Sequence, residues 1–350
     1  MLLYSCFNIQ INFMPELTDL NKTKDSGLDL TLRPQKWDDY IGQEKIKRNL
    51  QIIIGAAKIR KDPIEHILLY GPAGLGKTTL ANLISVEIGG NLRTTSGPMI
   101  EKTGDLASIL TNLNEGDILF IDEVHRLNKA VEEVLYPAME SRTLDIIIGK
   151  GASAKILQIQ LPPFSIIAAT TRIDLLSSPF RSRFGGTFKL DFYNEGDIEK
   201  IISRSAEILG LNINKNAMPL IARSSRSTPR IANRLLKRVR DFAQIYEKPI
   251  VTSDIVASAL KLLEVDELGL EPSDKHILRV IIDKYNGGPV GLKTIAASCG
   301  EEEETVEGVY EPYLMRLGFL ARTPKGRVVT ELGYKHLNIN PQNKNQSNFF

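Results

Sequence analysis

The run Gly71-Pro72-Ala73-Gly74-Leu75-Gly76-Lys77-Thr78-Thr79 combines glycines, a lysine and a hydroxyl pair at the spacing that holds a polyphosphate. It follows an apolar stretch and opens the helical pattern Leu80–Ile88. The glycines let backbone N–H groups approach phosphate oxygens without an intervening Cβ, and the helix directs its N-terminal partial charge at the same anion. Lys77 is placed to reach the β- and γ-phosphates, and Thr78 to offer its hydroxyl to Mg2+. Farther along, Ile118-Leu119-Phe120-Ile121-Asp122-Glu123 puts two carboxylates at the end of an apolar strand, where ligands bind in open α/β sheets. Asp122 is then a candidate to hold Mg2+ through a water, and Glu123 to activate the attacking water. A strand ending in acidic residues is by itself an ordinary solvated turn. Paired with the phosphate loop, it points to ATP hydrolysis as well as binding.

These groups need a frame. From about Leu30 to Leu190 short apolar runs alternate with helical patterns, the rhythm of a parallel α/β sheet, with strands expected at Ile67–Tyr70, Leu92–Thr95, Ile118–Ile121 and Ile166–Ala169. From Glu195 to about Glu264 the spacing is helical throughout. After Glu271-Pro272 the pattern reads helix (Lys275–Lys284), Gly-Gly-Pro turn, helix (Leu292–Ser298), longer helix (Glu302–Leu317), then two short strands around Pro324–Gly326. That is the outline of a winged helix. The resulting division is an N-terminal extension (1–30), an ATPase domain (31–192), a small helical domain (193–268), a winged helix (269–337) and an Asn/Gln-rich tail (338–350) expected to be disordered.

Composition sets the bounds. At 350 residues the chain is long enough for two or three domains. With 42% hydrophobic and 25% charged residues it reads as a soluble globular protein. A formal net charge of only +2 means that any nucleic-acid contact must come from local clusters, not bulk basicity. The apolar start Met1–Met14 lacks Lys or Arg and is interrupted by Asn8, Gln10 and Asn12, unlike a secretory signal. Two cysteines, Cys6 and Cys299, suggest neither a disulfide framework nor a zinc site, so the cytoplasm is the expected compartment.

The order of phosphate loop, acidic pair and helical domain resembles the AAA+ ATPases. That likeness implies further roles. Thr171, ending Ile166-Ile167-Ala168-Ala169-Thr170-Thr171, matches the residue that positions the attacking water. In Ser178-Pro179-Phe180-Arg181-Ser182-Arg183-Phe184-Gly185, Arg183 matches an arginine finger supplied to the neighbouring subunit's γ-phosphate, while Arg181 pairs locally. Arg230, in Thr228-Pro229-Arg230, starts a helix and matches the arginine that couples a helical lid to the nucleotide. The rest of that helix, with Arg234, Lys237, Arg238 and Arg240, reads mostly as a solvated basic face.

Within AAA+ the chain is similar to the RuvB family of Holliday-junction branch-migration ATPases, over roughly Leu32 to Leu337. Gly104-Asp105-Leu106, Leu119–Arg126, Tyr136-Pro137-Ala138-Met139-Glu140, Leu161-Pro162-Pro163-Phe164, Gly287–Gly291, Glu311–Leu314 and Gly318–Arg327 carry the resemblance. It implies an α/β AAA+ P-loop ATPase domain with a small helical lid and a C-terminal winged helix, assembled as a homohexamer. It implies an ATP- and Mg2+-dependent translocase on the duplex DNA arms of Holliday junctions, acting with RuvA, and with the RuvC resolvase in the same complex, in recombination and DNA repair. No membrane role is implied. Leu32, Arg33 and Tyr193 match nucleotide contacts, as do Glu140, Ser141 and Arg142 at a subunit boundary; Arg322 and Arg327 match DNA-contacting arginines of the wing.

The chain departs from the family pattern at several positions. Ser227 stands for a glycine before Thr-Pro-Arg, predicting a stiffer lid hinge. Ile173-Asp174 replaces Ala-Gly, and Lys325 replaces arginine in the wing. Arg142 and Thr143 fall at a variable spot.

Two β-prone runs, Leu144–Ile148 and Ile156–Leu161, flank Gly149-Lys150-Gly151-Ala152-Ser153-Ala154. They predict a hairpin with one apolar face left for a partner, and the resemblance makes that partner RuvA, with Ile148 and Ile156 as contacts. An ATP-dependent loader of the clamp-loader or initiator type would share the phosphate loop, acidic pair, finger and lid. It would end in a helical collar in place of a winged helix. A small-molecule kinase would need neither Arg183 nor the lid.

Overall fold

The computed structural model describes residues 27–148 and 155–340. The expected N-terminal extension up to residue 26, the turn Gly149–Ala154 and the tail from residue 341 lie outside the described residues.

Five strands, β1 (Ile67–Tyr70), β2 (Leu92–Ser96), β3 (Ile118–Asp122), β6 (Ser165–Thr170) and β7 (Gly186–Lys189), form one parallel sheet in the order β2-β3-β6-β1-β7. Four of them are strands expected from the sequence. β1, β3 and β6 are buried along nearly their whole length, as central strands covered on both faces must be. β7 is the strand the pattern did not reveal. It is a short edge strand with alternating exposure, so it carries no continuous apolar signal. The register pairs Tyr70 with Thr170 and Ile121 with Ala168, so the carboxyl ends of β1, β6 and β3 lie side by side. The phosphate loop, Thr171 and the acidic pair leave from these three ends.

Helices Glu44–Arg60 and Lys77–Ile88 contribute to a core on one face of the sheet. Leu106, Leu110, Val131 and Leu135, from helices Thr103–Thr111 and Lys129–Glu140, belong to the core on the other. The first core runs without a break into the helical domain, through Leu190, Tyr193 and Ile198 to Leu235, Leu236 and Val239. Asn194 caps helix Glu195–Ile208 by accepting from the Asp197 amide. Pro229 opens helix Pro229–Ile245.

The winged helix has a core of its own, built on Ile277, Ile281, Ile295, Leu314 and Val329. Its strands β8 (Leu320–Thr323) and β9 (Gly326–Val329) form an antiparallel hairpin. The expected helix Glu302–Leu317 runs from Glu303 to Arg316, but with a π-helical turn at Val306–Tyr310. Pro312 has no N–H to give to the Gly308 carbonyl, and its ring crowds that oxygen, so a wider turn relieves the conflict. Strands β4 (Thr143–Ile148) and β5 (Lys155–Gln160) form the expected hairpin, outside the main sheet, with Leu144 opposite Ile159 and Ile146 opposite Leu157. Among the described residues no helix is long and apolar enough to cross a membrane.

Candidate nucleotide site

A cavity of about 670 Å3 opens between the sheet's carboxyl edge and the helical domain. Leu32 and Arg33 line one side of it, the phosphate loop through Thr79 another, and Asp122, Glu123, Tyr193 and Arg230 the rest. Five separate stretches of the chain are thus gathered into one hollow of ligand size. Thr78, Asp122 and Glu123 present an oxygen-only donor set beside the phosphate loop, which fits a hard divalent ion such as Mg2+.

The loop is braced by two tyrosines. Tyr40 and Tyr193 each donate a hydroxyl to the Leu75 carbonyl, at 3.4 and 3.3 Å. Burial pushes both phenols up, Tyr193 to about 12, so both stay protonated donors. Gly76 has φ of 100°, and a Cβ there would lie 2.9 Å from the Tyr40 hydroxyl. Glycine is therefore required on two counts. Tyr40 is a site residue that the motif did not flag, since it lies outside the loop in sequence. The Lys77 ammonium donates to the carbonyls of Gly71 and Pro72 at 2.7 and 3.0 Å. Burial lowers its pKa, and the charges of Glu123 and Asp122 oppose that effect.

The lid touches the loop directly: the Arg230 amide donates to the Gly74 carbonyl at 3.4 Å. Its basic helix is solvated at Arg234 and Arg238, as expected, but not along its whole length. Lys237 is buried and paired with Asp29, and Arg234 pairs with Glu271. Ser227 lies in the left-handed region at φ 56°, directly after Arg226 at φ 53°. A glycine accepts that conformation freely, whereas a serine there costs about 1–2 kcal/mol.

Glu123 is also left-handed, at φ 46°. One of its carboxylate oxygens accepts from the Thr171 hydroxyl at 3.1 Å and lies 3.2 Å from His125 Nδ1. That nitrogen is also 2.9 Å from the Thr170 hydroxyl. Burial lowers the His125 pKa against the pull of Glu123, which favours the neutral ring near pH 7. Thr170, which ends β6, and Thr171 after it thus both address the Glu123 carboxylate, Thr171 directly and Thr170 through His125. His125 was missed as a functional residue. Its position two residues after Glu123 was the available signal.

Arg183 does not enter this cavity. It lies with Tyr136 and Glu140: its guanidinium carbon is 4.0 Å from the tyrosine ring centroid and Nη2 is 3.1 Å from Glu140. Ser141 and Arg142 follow on the same surface, with Ser141 bonded to Thr143 at 2.8 Å. Arg183 and Glu140 thus pair outside the cavity that holds the chain's own phosphate loop, with Ser141 and Arg142 next in the chain. Arg181 is exposed.

The wing needs one correction. Arg322 is 56% exposed at its side chain, but Arg327 only 10%. Arg327 grips the buried Glu311 with two nitrogens, Nε at 3.1 Å and Nη2 at 2.9 Å. Both were expected to reach outward, yet only Arg322, with the exposed Lys325, does so. Arg327 sits on the inner face of β9 because the helix carrying Glu311 packs beneath it. On the β4–β5 hairpin, Leu157 is 48% exposed while Leu144 is buried at the base. The side chains of Ile148 and Ile156 lie outside the described residues. A second cavity of about 610 Å3, beside Lys275, His276 and Cys299, gathers none of these groups.

A parallel-sheet P-loop domain, a lid whose arginine meets the loop, and a C-terminal winged helix define an AAA+ ATPase. Comparison with known proteins narrows this. Residues 32–190 match the family model described as the Holliday junction DNA helicase RuvB P-loop domain. Residues 193–266 match the RuvB AAA lid domain, and residues 267–338 the RuvB C-terminal winged helix domain. The chain is 56% identical over 321 residues to the Holliday junction branch migration complex subunit RuvB of Dehalococcoides mccartyi, covering 92% of each chain. It is similar to the solved Thermotoga maritima RuvB branch migration motor at 49% identity and TM-score 0.82, covering 89% of this chain and 99% of that one. A point variant of the Thermotoga protein gives TM-score 0.83 at the same identity, covering 88% and 99%. The chain belongs to the RuvB family, the ATP-driven motors of Holliday-junction branch migration.

Proposed function

We propose that this chain is the ATP-hydrolysing subunit of a homohexameric ring that pulls the duplex arms of Holliday junctions. The observation that carries this is the split between one cavity holding the phosphate loop, acidic pair and lid arginine, and a separate surface holding Arg183. An arginine placed away from its own loop is suited to serve a neighbour's, which would make the active site a property of the ring.

In this reading the backbone of Gly71–Thr79 and Lys77 bind the phosphates, and Leu32, Arg33 and Tyr193 enclose the rest of the nucleotide. Glu123, held by Thr171, orients the attacking water and takes its proton. Arg230 carries the nucleotide state into the lid. Arg183 reaches the adjoining subunit's γ-phosphate, and Glu140, Ser141 and Arg142 border that contact. Thr78 and Asp122 would hold Mg2+, which when bound supplies charge neutralisation on the phosphates. Arg322 and Lys325 on the wing meet DNA phosphates, and Arg327 fixes the wing's shape from within. RuvA docks on the β4–β5 hairpin, where exposed Leu157 offers apolar surface. The RuvC resolvase joins the same complex, in the cytoplasm, in recombination and repair.

The test is strand separation of a synthetic four-way junction with ATP, Mg2+, RuvA and the full chain. Separation that needs all components supports the motor. ATP-dependent DNA binding with no separation would move the chain to the loader or switch class.

A further inference from the structure

Glu307 lies in the π-helical turn of the winged helix, yet its two carboxylate oxygens face different domains. Oε2 accepts from Arg172 of the ATPase domain at 3.3 Å. Oε1 lies 3.5 Å from Arg322 and 3.8 Å from Arg327, both on the wing. The carboxylate is 25% exposed and Arg172 30%, so the pair on the ATPase side is partly shielded from solvent. Arg172 itself is anchored in the hydrolysis machinery. Its amide donates to the Thr170 hydroxyl at 2.9 Å, and its neighbour Thr171 holds Glu123. One side chain therefore joins the most exposed arginine of the wing to the residue after the threonine that positions the general base.

We propose that Glu307 is a positioning residue through which duplex DNA on the wing governs the rate of ATP hydrolysis. This rests on the reading that Arg322 meets DNA phosphate. A phosphate at Arg322 competes with Glu307 Oε1 for the same guanidinium and repels the carboxylate. Glu307 then keeps only the longer contact to Arg327 on the wing, and its hold shifts toward Arg172. The turn is suited to such a change, because a π turn already departs from regular helix geometry and such turns cluster at functional places.

The full chain is assayed for steady-state ATP hydrolysis without DNA and with a saturating mixed-sequence linear duplex. Wild type is compared with Glu307→Gln, Arg172→Gln and the double variant. Glu307→Gln is nearly isosteric and removes only the charge. The expected result is basal hydrolysis within about twofold of wild type in Glu307→Gln, with the stimulation ratio falling toward one. The double variant should be no worse than either single variant, the mark of groups acting as a unit. Duplex binding by Glu307→Gln should be as tight as wild type or tighter, since a competitor of the phosphate has gone. That readout separates lost coupling from lost binding or lost folding.

Full stimulation in either single variant, or two effects that simply add, overturns the proposal. A wild-type chain that neither binds the duplex nor responds to it overturns the DNA-motor reading as well, an outcome distinct from the first.

Discussion

Gly97 follows β2 and belongs to none of the nucleotide motifs, yet the placement of Glu123 depends on it. It is buried, and a Cβ on it would come inside 3.0 Å of the Glu123 carbonyl oxygen and within 3.3 Å of the Glu123 carbonyl carbon and the Leu127 amide. To restore ordinary contact at 3.4 Å the oxygen must retreat by about 1 Å. That oxygen already accepts from the Arg126 amide at 2.9 Å, and Glu123 is already left-handed, so the backbone has little room to yield. Gly97→Ala should therefore move the general base by up to about 1 Å, a displacement that costs on the order of a hundredfold in rate. Stability should fall by about 1–3 kcal/mol, the range for overpacking a buried site. The assay is kcat for ATP hydrolysis beside nucleotide affinity from a fluorescent ATP analogue. The atoms nearest a Cβ on Gly97 belong to Glu123 and Leu127 and not to the phosphate loop, so affinity should change less than about threefold while kcat collapses. A Gly97→Ala chain that folds and hydrolyses ATP at the wild-type rate would refute this account of how Glu123 is held.

Other consequences are open to measurement. Arg183→Ala should bind ATP yet barely hydrolyse it, and mixing it with Lys77→Ala should restore part of the activity at interfaces joining an intact finger to an intact loop; a mixture no better than either variant alone counts against a finger in trans. Arg322→Ala should flatten the log K against log salt slope for duplex binding by roughly one, with little change in melting temperature. Arg327→Ala should strand the buried Glu311 carboxylate and cost about 3–5 kcal/mol of stability, and equal behaviour of these two variants in both assays would undo their separation. His66 accepts from the Ile166 amide at Nδ1, 2.9 Å, and bonds the Met139 carbonyl through Nε2, 3.1 Å, so it is held neutral. Burial lowers its pKa from the usual 6.5. Its contribution is complete above the usual value and is lost as pH falls below it toward the lower folded pKa, because the unfolded chain takes up the proton first. Melting temperature should therefore drop between about pH 7 and pH 5, with the same sign from His125, and an equally steep drop in His66→Gln would remove His66 as a cause.

The parts of the site that rest on local pattern were readable in the chain. A phosphate loop needs its residues consecutive, and β1, β3 and β6 need only unbroken apolar runs, so their register follows once the sheet forms. What the chain concealed depends on contacts between distant segments. Tyr40 braces Leu75 from 35 positions away, and Arg327 looks like a wing cation until Glu311 is seen beneath it. The stiffness expected at Ser227 has a physical form, two successive left-handed residues of which neither is glycine. The expected helix Glu302–Leu317 was right in extent, but Pro312 changed its pitch and so its exposed face.

The separate core of the winged helix bears on how load is borne. The ATPase domain and lid share one continuous apolar interior, so shifting the lid must deform close-packed side chains. The winged helix is joined by polar and charged links instead: Arg226 to Asp274, Arg172 to Glu307, and Arg316 stacked 4.1 Å from the Phe192 ring centroid. Arg226 to Asp274 is buried and costly to break, whereas the partly exposed Arg172–Glu307 and Arg316–Phe192 contacts can break and re-form one at a time without opening a cavity. A force applied at the wing would then be met first by exchangeable ion pairs, sparing the interior that shapes the nucleotide pocket. The appendage acts as a compliant coupling, and the engine behind it stays stiff.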